Sequence, residues 1–274
     1  MEKKFMWGCS TSSAQIEGAY LEDGKSLSIW DHFSLQKLIV DGSTTFETCD
    51  SYHRFKEDIA LLKELGVNSY RFSISWTRIC PDESMKVNPK GIEYYNALID
   101  ECLKNNITPL VTMYHWDAPL WLYEKDMWLS GEMLKYFPTY AEILLKAFSN
   151  RVKHWIVLNE PECISTSVGG NILNKEYTPK EKLQIVHNIL LCQGLAGKLV
   201  KKYGCLLGSS INGTYQFPVS DSREDIEAAR KAFFDLKRGD TFSTVIFADP
   251  MFLGRYPDVY YEKNEKEILP LIKK

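Results

Sequence analysis

Apolar positions recur along this chain in two alternating periods, and the alternation predicts its elements. Phe55, Ile59 and Leu62 fall at helical spacing, Gly66 closes the run, and Val67 to Ile74 change to a strand-like stretch rich in β-formers. Ile92, Tyr95, Ile99 and Cys102 make the next helical stripe, which ends at Asn105-Asn106. Ile107 to Met113 follow as a buried strand with Pro109 near its start. Leu134, Phe137, Ala141, Leu144 and Phe148 form a third stripe, expected to break or restart near Pro138, and it leads into an apolar run from Trp155 to Leu158. Leu183, Val186, Leu190, Gln193, Gly197 and Val200 mark a fourth helix, stopped by Gly204 before a strand over Leu206 to Ile211. With an opening strand around Phe5 to Trp7, the chain reads as five β-α units.

Regular alternation of strand and helix implies a parallel sheet with helices outside. Right-handed crossovers leave a barrel or an open doubly wound sheet as the choices. No Gly-x-Gly-x-x-Gly follows the first strand, which counts against a dinucleotide fold. No linker, low-complexity segment or close repeat divides residues 1–274, and a single domain is expected.

Composition excludes several classes of function. At 45% hydrophobic and 25% charged residues the chain is in the ordinary globular range, and its net charge is −3. Lysines and arginines do not cluster among aromatics, so nucleic acid is not an expected partner. Seven cysteines at irregular spacing, with no Cys-x-x-Cys pair, read as reduced thiols in a cytoplasmic protein. Phe5-Met6-Trp7 is too short for a signal-peptide core, and no apolar stretch reads as approaching the roughly 20 residues that span a bilayer, so no membrane association is expected. The five histidines share no metal-ligand spacing, and neither a metal nor an organic cofactor is expected.

The chemistry collects where strands end. The second strand runs into Arg71, the third into Tyr114-His115-Trp116-Asp117, and the fourth into Asn159-Glu160-Pro161. An arginine, a histidine, an indole, an amide and a carboxyl group at one rim are tools for sugars. Hydroxyls take planar bidentate partners, a pyranose face stacks on Trp, and glycosidic cleavage needs a carboxyl group to protonate the leaving oxygen. A single glutamate at a strand end is more often just exposed, and it is the company of Glu160 that favours chemistry. Trp7, Trp30 and Trp155 read as core or rim packing. Asp249-Pro250 superficially repeats Glu160-Pro161.

Four ordered motifs make the reading specific. Phe5-Met6-Trp7-Gly8 with Ser13 to Ala19, then Tyr70 to Ile79, Tyr114 to Pro119 and Leu158-Asn159-Glu160-Pro161, resemble glycoside hydrolase family 1, the β-glucosidase family. The later segments Arg223 to Arg230, Phe247 to Pro250 and Gly254 to Pro257 extend the resemblance across essentially the whole chain, and the resemblance implies that Asp249-Pro250 continues a helix started near Asp225 rather than supplying a second strand-end carboxylate.

The resemblance implies a (β/α)8 TIM-barrel fold, present here as an incomplete barrel of about five β-α units, and a retaining β-glycosidase acting on terminal β-D-glucosyl or galactosyl residues. Glu160 would be the general acid/base, and its partner carboxyl would lie about 5 Å away. Arg71 would lie beside the nucleophile and favour its ionised form. Asn159 would hydrogen-bond the sugar 2-hydroxyl, Gln15, His115 and Trp116 would line the pocket, and Glu17 would support the site. The implied partner is a small-molecule β-glycoside or oligosaccharide.

Family members add three further strands, which bring an Asn-Tyr pair, a nucleophilic Glu in Thr-Glu-Asn-Gly, and a Trp and a Glu that hold the sugar. None of these motifs is found in the sequence. The expectation is therefore a catalytic domain over 1–274, truncated before the last three strands and lacking its nucleophile. It would need a complementary C-terminal chain or self-association to cover its open sheet edges. The competing expectation is an inactive fragment or pseudoenzyme that keeps a sugar-binding or structural role. The chain departs from the family in having Glu162-Cys163 after Pro161 in place of an aromatic residue, Val168-Gly169-Gly170 in place of a later Ala-Pro-Gly turn, and Met127-Trp128-Leu129 in place of Gly-Gly-Trp.

Overall fold

Strands β1 (Gly8–Ser10), β2 (Ser69–Ser73), β3 (Thr108–Tyr114), β4 (His154–Asn159) and β5 (Leu206–Ser210) form one sheet in sequence order. The computed structural model describes residues 5–165, 177–213, 215–237 and 239–272, so the segment Val168-Gly169-Gly170 lies outside the described residues. β1 to β4 pair in parallel, with Ser10 and Leu110 flanking Arg71 in the register. A helix separates each strand from the next, as the alternation predicts: Ser51–Glu64, Pro89–Lys104, Glu132–Phe148 and Pro179–Lys202. The stops fall where expected, Gly66 (φ 73°) and Gly204 (φ 66°) taking the left-handed conformation that ends a helix without a Cβ penalty.

The chain divides into two compact units, Met1–Asn159 with Leu195–Ser209, and Glu160–Gly194 with Ser210–Lys274. In the first unit Val111, Met113, Tyr114, Val157 and Leu158 are buried, the mark of strands covered on both faces. Two expectations are corrected there. The opening strand is Gly8–Ser10, while Phe5 and Trp7 before it are each 67% exposed. A Cβ at Gly8 would lie 2.6 Å from Ser69 O, so the close strand approach begins where the side chains stop. The helix Glu132–Phe148 runs unbroken through Pro138. Proline removes one backbone bond, and the buried face of Met133, Phe137, Tyr140, Ala141, Leu144 and Phe148 offsets that loss. Tyr140 also stacks on Trp76 at 4.3 Å and donates its hydroxyl to Ile74 O and Met113 O, both at 3.1 Å.

Two buried polar clusters hold the segments beyond the strand ends. Arg78, fully buried, donates to Glu17 (Nε to Oε2, 3.2 Å) and lies 4.0 Å from the centre of the Tyr52 ring, while Tyr95 donates its hydroxyl to the other Glu17 oxygen. Asp117 accepts from Ser13 Oγ at 2.8 Å, and Ser13 N donates to Ser73 Oγ at 2.8 Å, so the ends of β1, β2 and β3 meet in one network. Burial pushes the Asp117 carboxyl up to about 7, more than the Ser13 bond lowers it.

In the second unit, Glu160-Pro161 opens a short helical turn, Pro161–Cys163, and Ser165 Oγ donates to Glu162 O and Thr241 O at 2.8 Å. Helices Arg223–Phe233, Thr244–Leu253 and Asp258–Ile272 follow. Asp249-Pro250 is helical, as expected, but its helix is separate from the one that starts near Asp225. Asn264 donates to Tyr260 O (2.8 Å) and accepts from Gly239 N (3.0 Å), and Tyr260 donates to Asp240 O (2.6 Å). Pro179–Lys202 is long and apolar enough, by length and composition, to cross a bilayer, which corrects the reading that no stretch approaches that length. Gln184, His187, Asn188 and Gln193 interrupt the run, which hides its length from a reading by eye, and 56% of the apolar window is buried, as in a core helix.

Two outcomes follow for stability. Arg78→Met strands Glu17 as a buried charge, with an expected loss of about 3–5 kcal/mol in urea unfolding. The raised Asp117 pKa means that the folded chain holds a proton that the unfolded chain has released from pH 3.8 up to about 7. Stability falls as pH rises through that window, and Asp117→Asn removes this share of the slope, at most a few kcal/mol between about pH 4 and pH 8.

Candidate functional site

Parallel strands present their C-terminal ends on one side of a sheet, and that is where the singled-out residues of the first unit lie. Arg71 is in the middle of β2 rather than at its end, and the length of its side chain makes up the difference. Its Nε donates to Thr112 Oγ1 of β3 at 3.0 Å and its terminal nitrogen donates to Asn159 Oδ1 at the end of β4. Trp116, beyond β3, donates its indole N–H to Asn159 O at 2.8 Å. Asn159, only 2% exposed, is thus held by its amide and its carbonyl before any ligand arrives.

His115 stands beside Trp116, with ring centres 5.4 Å apart. Burial, reinforced by the positive Arg71, lowers its pKa from 6.5 to about 4, so the imidazole is neutral at neutral pH. Its Nδ1 is buried with no hydrogen-bond partner among the described residues. Gln15 is exposed, and Ser12 Oγ donates to its Oε1 at 2.8 Å. Gln15, His115 and Trp116 line an open cavity of about 470 Å³ with Trp30, Thr45 and Cys49. Trp30 is the lining residue that the sequence reading assigned to packing instead. Its neighbours Ile39 to Cys49 carry no periodic pattern, so only the fold brings them to Gln15. Glu17 does not line this cavity and is in an ion pair with Arg78.

Glu160 is the residue after Asn159 and the first of the second unit. It is half-buried, has left-handed backbone angles (φ 43°, ψ 70°), and its amide donates to Ser210 O at 2.8 Å. Its carbonyl accepts from Cys163 N (2.9 Å) and Ile164 N (3.3 Å), which closes the turn behind it. Trp116 at φ 69° shares the left-handed backbone. Such angles cost about 1–3 kcal/mol in a non-glycine residue and cluster at functional positions. No group of three or more His, Cys, Asp or Glu that would hold a metal is found among the described residues.

Comparison with known proteins gives this geometry a family. The chain is 41% identical over 264 residues to β-glucosidase A of Acetivibrio thermocellus, covering 93% of this chain and 57% of that protein. It is 40% identical over 287 residues to myrosinase 1 of Brevicoryne brassicae, covering 98% and 60%. Among solved structures, the β-glucosidase of Thermotoga maritima in complex with deoxynojirimycin superposes with a TM-score of 0.84 at 37% identity, covering 97% of this chain and 60% of that one. The five parallel β-α units are therefore part of a (β/α)8 barrel fold, and the chain spans about 60% of the length of the curated relatives it matches. With the family's sequence pattern matched over residues 1–274, the chain belongs to glycosyl hydrolase family 1.

Proposed function

We propose that this chain carries the acid/base half of a retaining β-glycosidase that acts on small β-glucosides or β-galactosides within one catalytic domain. The observation that carries this reading is Asn159, gripped by Arg71 and Trp116 directly before Glu160. In the proposed reaction Glu160 protonates the glycosidic oxygen as the leaving group departs, and later removes a proton from the attacking water. Asn159 offers its amide to the sugar 2-hydroxyl. Neutral His115 and Gln15 take hydroxyls that an imidazolium would bind less selectively, and Trp116 supplies an apolar face. Arg71 favours the ionised form of the carboxylate that attacks the anomeric carbon.

That second carboxylate comes, on this reading, from outside the strands described above. Of β1 to β5 only β4 is followed by a glutamate, and the others run on into Thr11, Ile74, His115 and Ile211. The relatives' complexes with sugar-like inhibitors, among them deoxynojirimycin and castanospermine, support a small glycoside as the ligand. A cytoplasmic location is proposed on the thiols, since none of the seven cysteines is in a disulfide.

The test is hydrolysis of a nitrophenyl β-glucoside by the full chain, alone and mixed with the remaining C-terminal segment of a family relative. Activity is expected only on mixing, and Glu160→Gln is expected to lower kcat by roughly 10²- to 10⁴-fold. Activity of the chain alone would place the nucleophile within these residues. Inactivity in both cases, with glucoimidazole-type inhibitors still bound in calorimetry, would favour a sugar-binding role instead. In the active mixture, Gln15→Ala is expected to raise KM about tenfold with a smaller change in kcat, as loss of a ground-state hydrogen bond does.

A further inference from the structure

The turn behind Glu160 contains a second carboxyl group, and it is fully buried. Glu162 is 0% exposed and accepts the Asn212 amide at 3.3 Å (Oε2). Asn212 reaches the same turn a second time, its side-chain amide donating to Cys163 Sγ at 3.7 Å. Asn212 is itself fixed, since its Oδ1 accepts from Gly213 N (2.7 Å) and its carbonyl accepts from Thr244 Oγ1 (3.2 Å). The Cys163 thiol bonds the Glu160 side chain, and Ser210, two residues before Asn212, accepts the Glu160 amide. One short segment, Ser210 to Asn212, therefore holds Glu160, Glu162 and Cys163 together.

Resting on the reading of Glu160 as acid/base, we propose that Glu162 is a positioning residue for Glu160: clamped by Asn212, it fixes the left-handed turn and sets the charge beside the Glu160 carboxyl. A carboxyl group is not an idle choice in a buried place. As a charge it would be costly there, so it stays protonated over most of the acid and neutral range and brings no repulsion to Glu160. Burial, with a smaller contribution from the charge of Glu160, raises Glu162 to about 7. Among the described residues, the titratable groups whose charge bears on it are Glu160 and the Cys163 thiol. Helix Thr244–Leu253, which packs on this turn, carries Asp249, whose electrostatic neighbours are Arg255 and Asp258 instead. As pH rises through about 7, Glu162 ionises, a buried negative charge appears in the turn beside Glu160, and the turn is strained.

Two readouts test this, and the first needs no catalysis. In the full chain labelled with ¹³C at glutamate carboxyls, the signal lost in Glu162→Gln is expected to titrate near pH 7. In Glu160→Gln it is expected to move to lower pH by a few tenths of a unit, because the neighbouring charge is gone. A Glu162 signal that does not move overturns the proposal, whether or not the chain hydrolyses anything. Failure of the functional reading is separate, and shows as absent hydrolysis with the coupling intact. In the active mixture, Glu162→Ala is expected to lower kcat at least tenfold with KM little changed. Glu162→Gln, which can still accept from Asn212, restores kcat at neutral pH and extends it into the alkaline range where the parent enzyme declines. Equal losses in the alanine and glutamine variants, or an unchanged alkaline limb, overturn the proposal.

Discussion

The pair formed by Glu17 and Arg78 is the constraint on which the first unit turns. Neither partner tolerates burial alone, since a stranded charge costs several kcal/mol in a protein interior. Their contact therefore couples the segment after β1 to the segment after β2. Tyr95 brings in the helix Pro89–Lys104 by donating to the same carboxylate, and Tyr52 brings in the helix Ser51–Glu64 by stacking under the guanidinium. Such a pair adds little net stability compared with apolar packing, and what it supplies is registry. Gln15 lies two residues from Glu17, so the edge of the cavity inherits its position from this buried contact.

The rim above the sheet is organised by the opposite electrostatic logic. Arg71 is the positive group to which the others respond: it donates to Thr112 and Asn159, and its field helps burial keep His115 neutral. A neutral imidazole both donates and accepts, which suits a partner made of hydroxyls. Asp117, one residue beyond Trp116, is raised to about 7 by its burial and so adds little charge below neutral pH. Arg71 is thus a fixed cation that ties β2 to β3 and β4 beneath the rim.

Much of this was legible in the sequence because it is local. Helix stops at Gly66 and Gly204 need only one left-handed residue, and four of the five strands lie where the apolar runs predict. The pairing of Asn159 with Glu160 was readable as a strand running into polar residues. What was not legible depends on distant partners. Pro138 stays within its helix because of the buried face around it, and Gly8 starts the first strand because Ser69 comes too close for a side chain. Trp30 lines the cavity because the segment from Ile39 to Cys49 folds near Gln15, and no periodicity announces that. Arg71 was expected at the end of its strand and lies in mid-strand instead. Only the reach of its side chain past Thr112 reconciles the two.

Backbone conformation at the strand ends is the last link between fold and chemistry. Trp116 and Glu160 both leave their strands in left-handed geometry, which side chains other than glycine rarely adopt. Each is held there by bonds on its far side: Trp116 through its indole on Asn159, Glu160 through Ser210 and the turn ending at Ile164. Strain of this kind persists only where surrounding contacts over-determine it. For Glu160 those contacts lead to Asn212 and Glu162. An apolar side chain in the same buried place would not titrate. With a carboxyl group there, the rigidity of the turn depends on a proton, and the backbone that presents Glu160 depends on it as well.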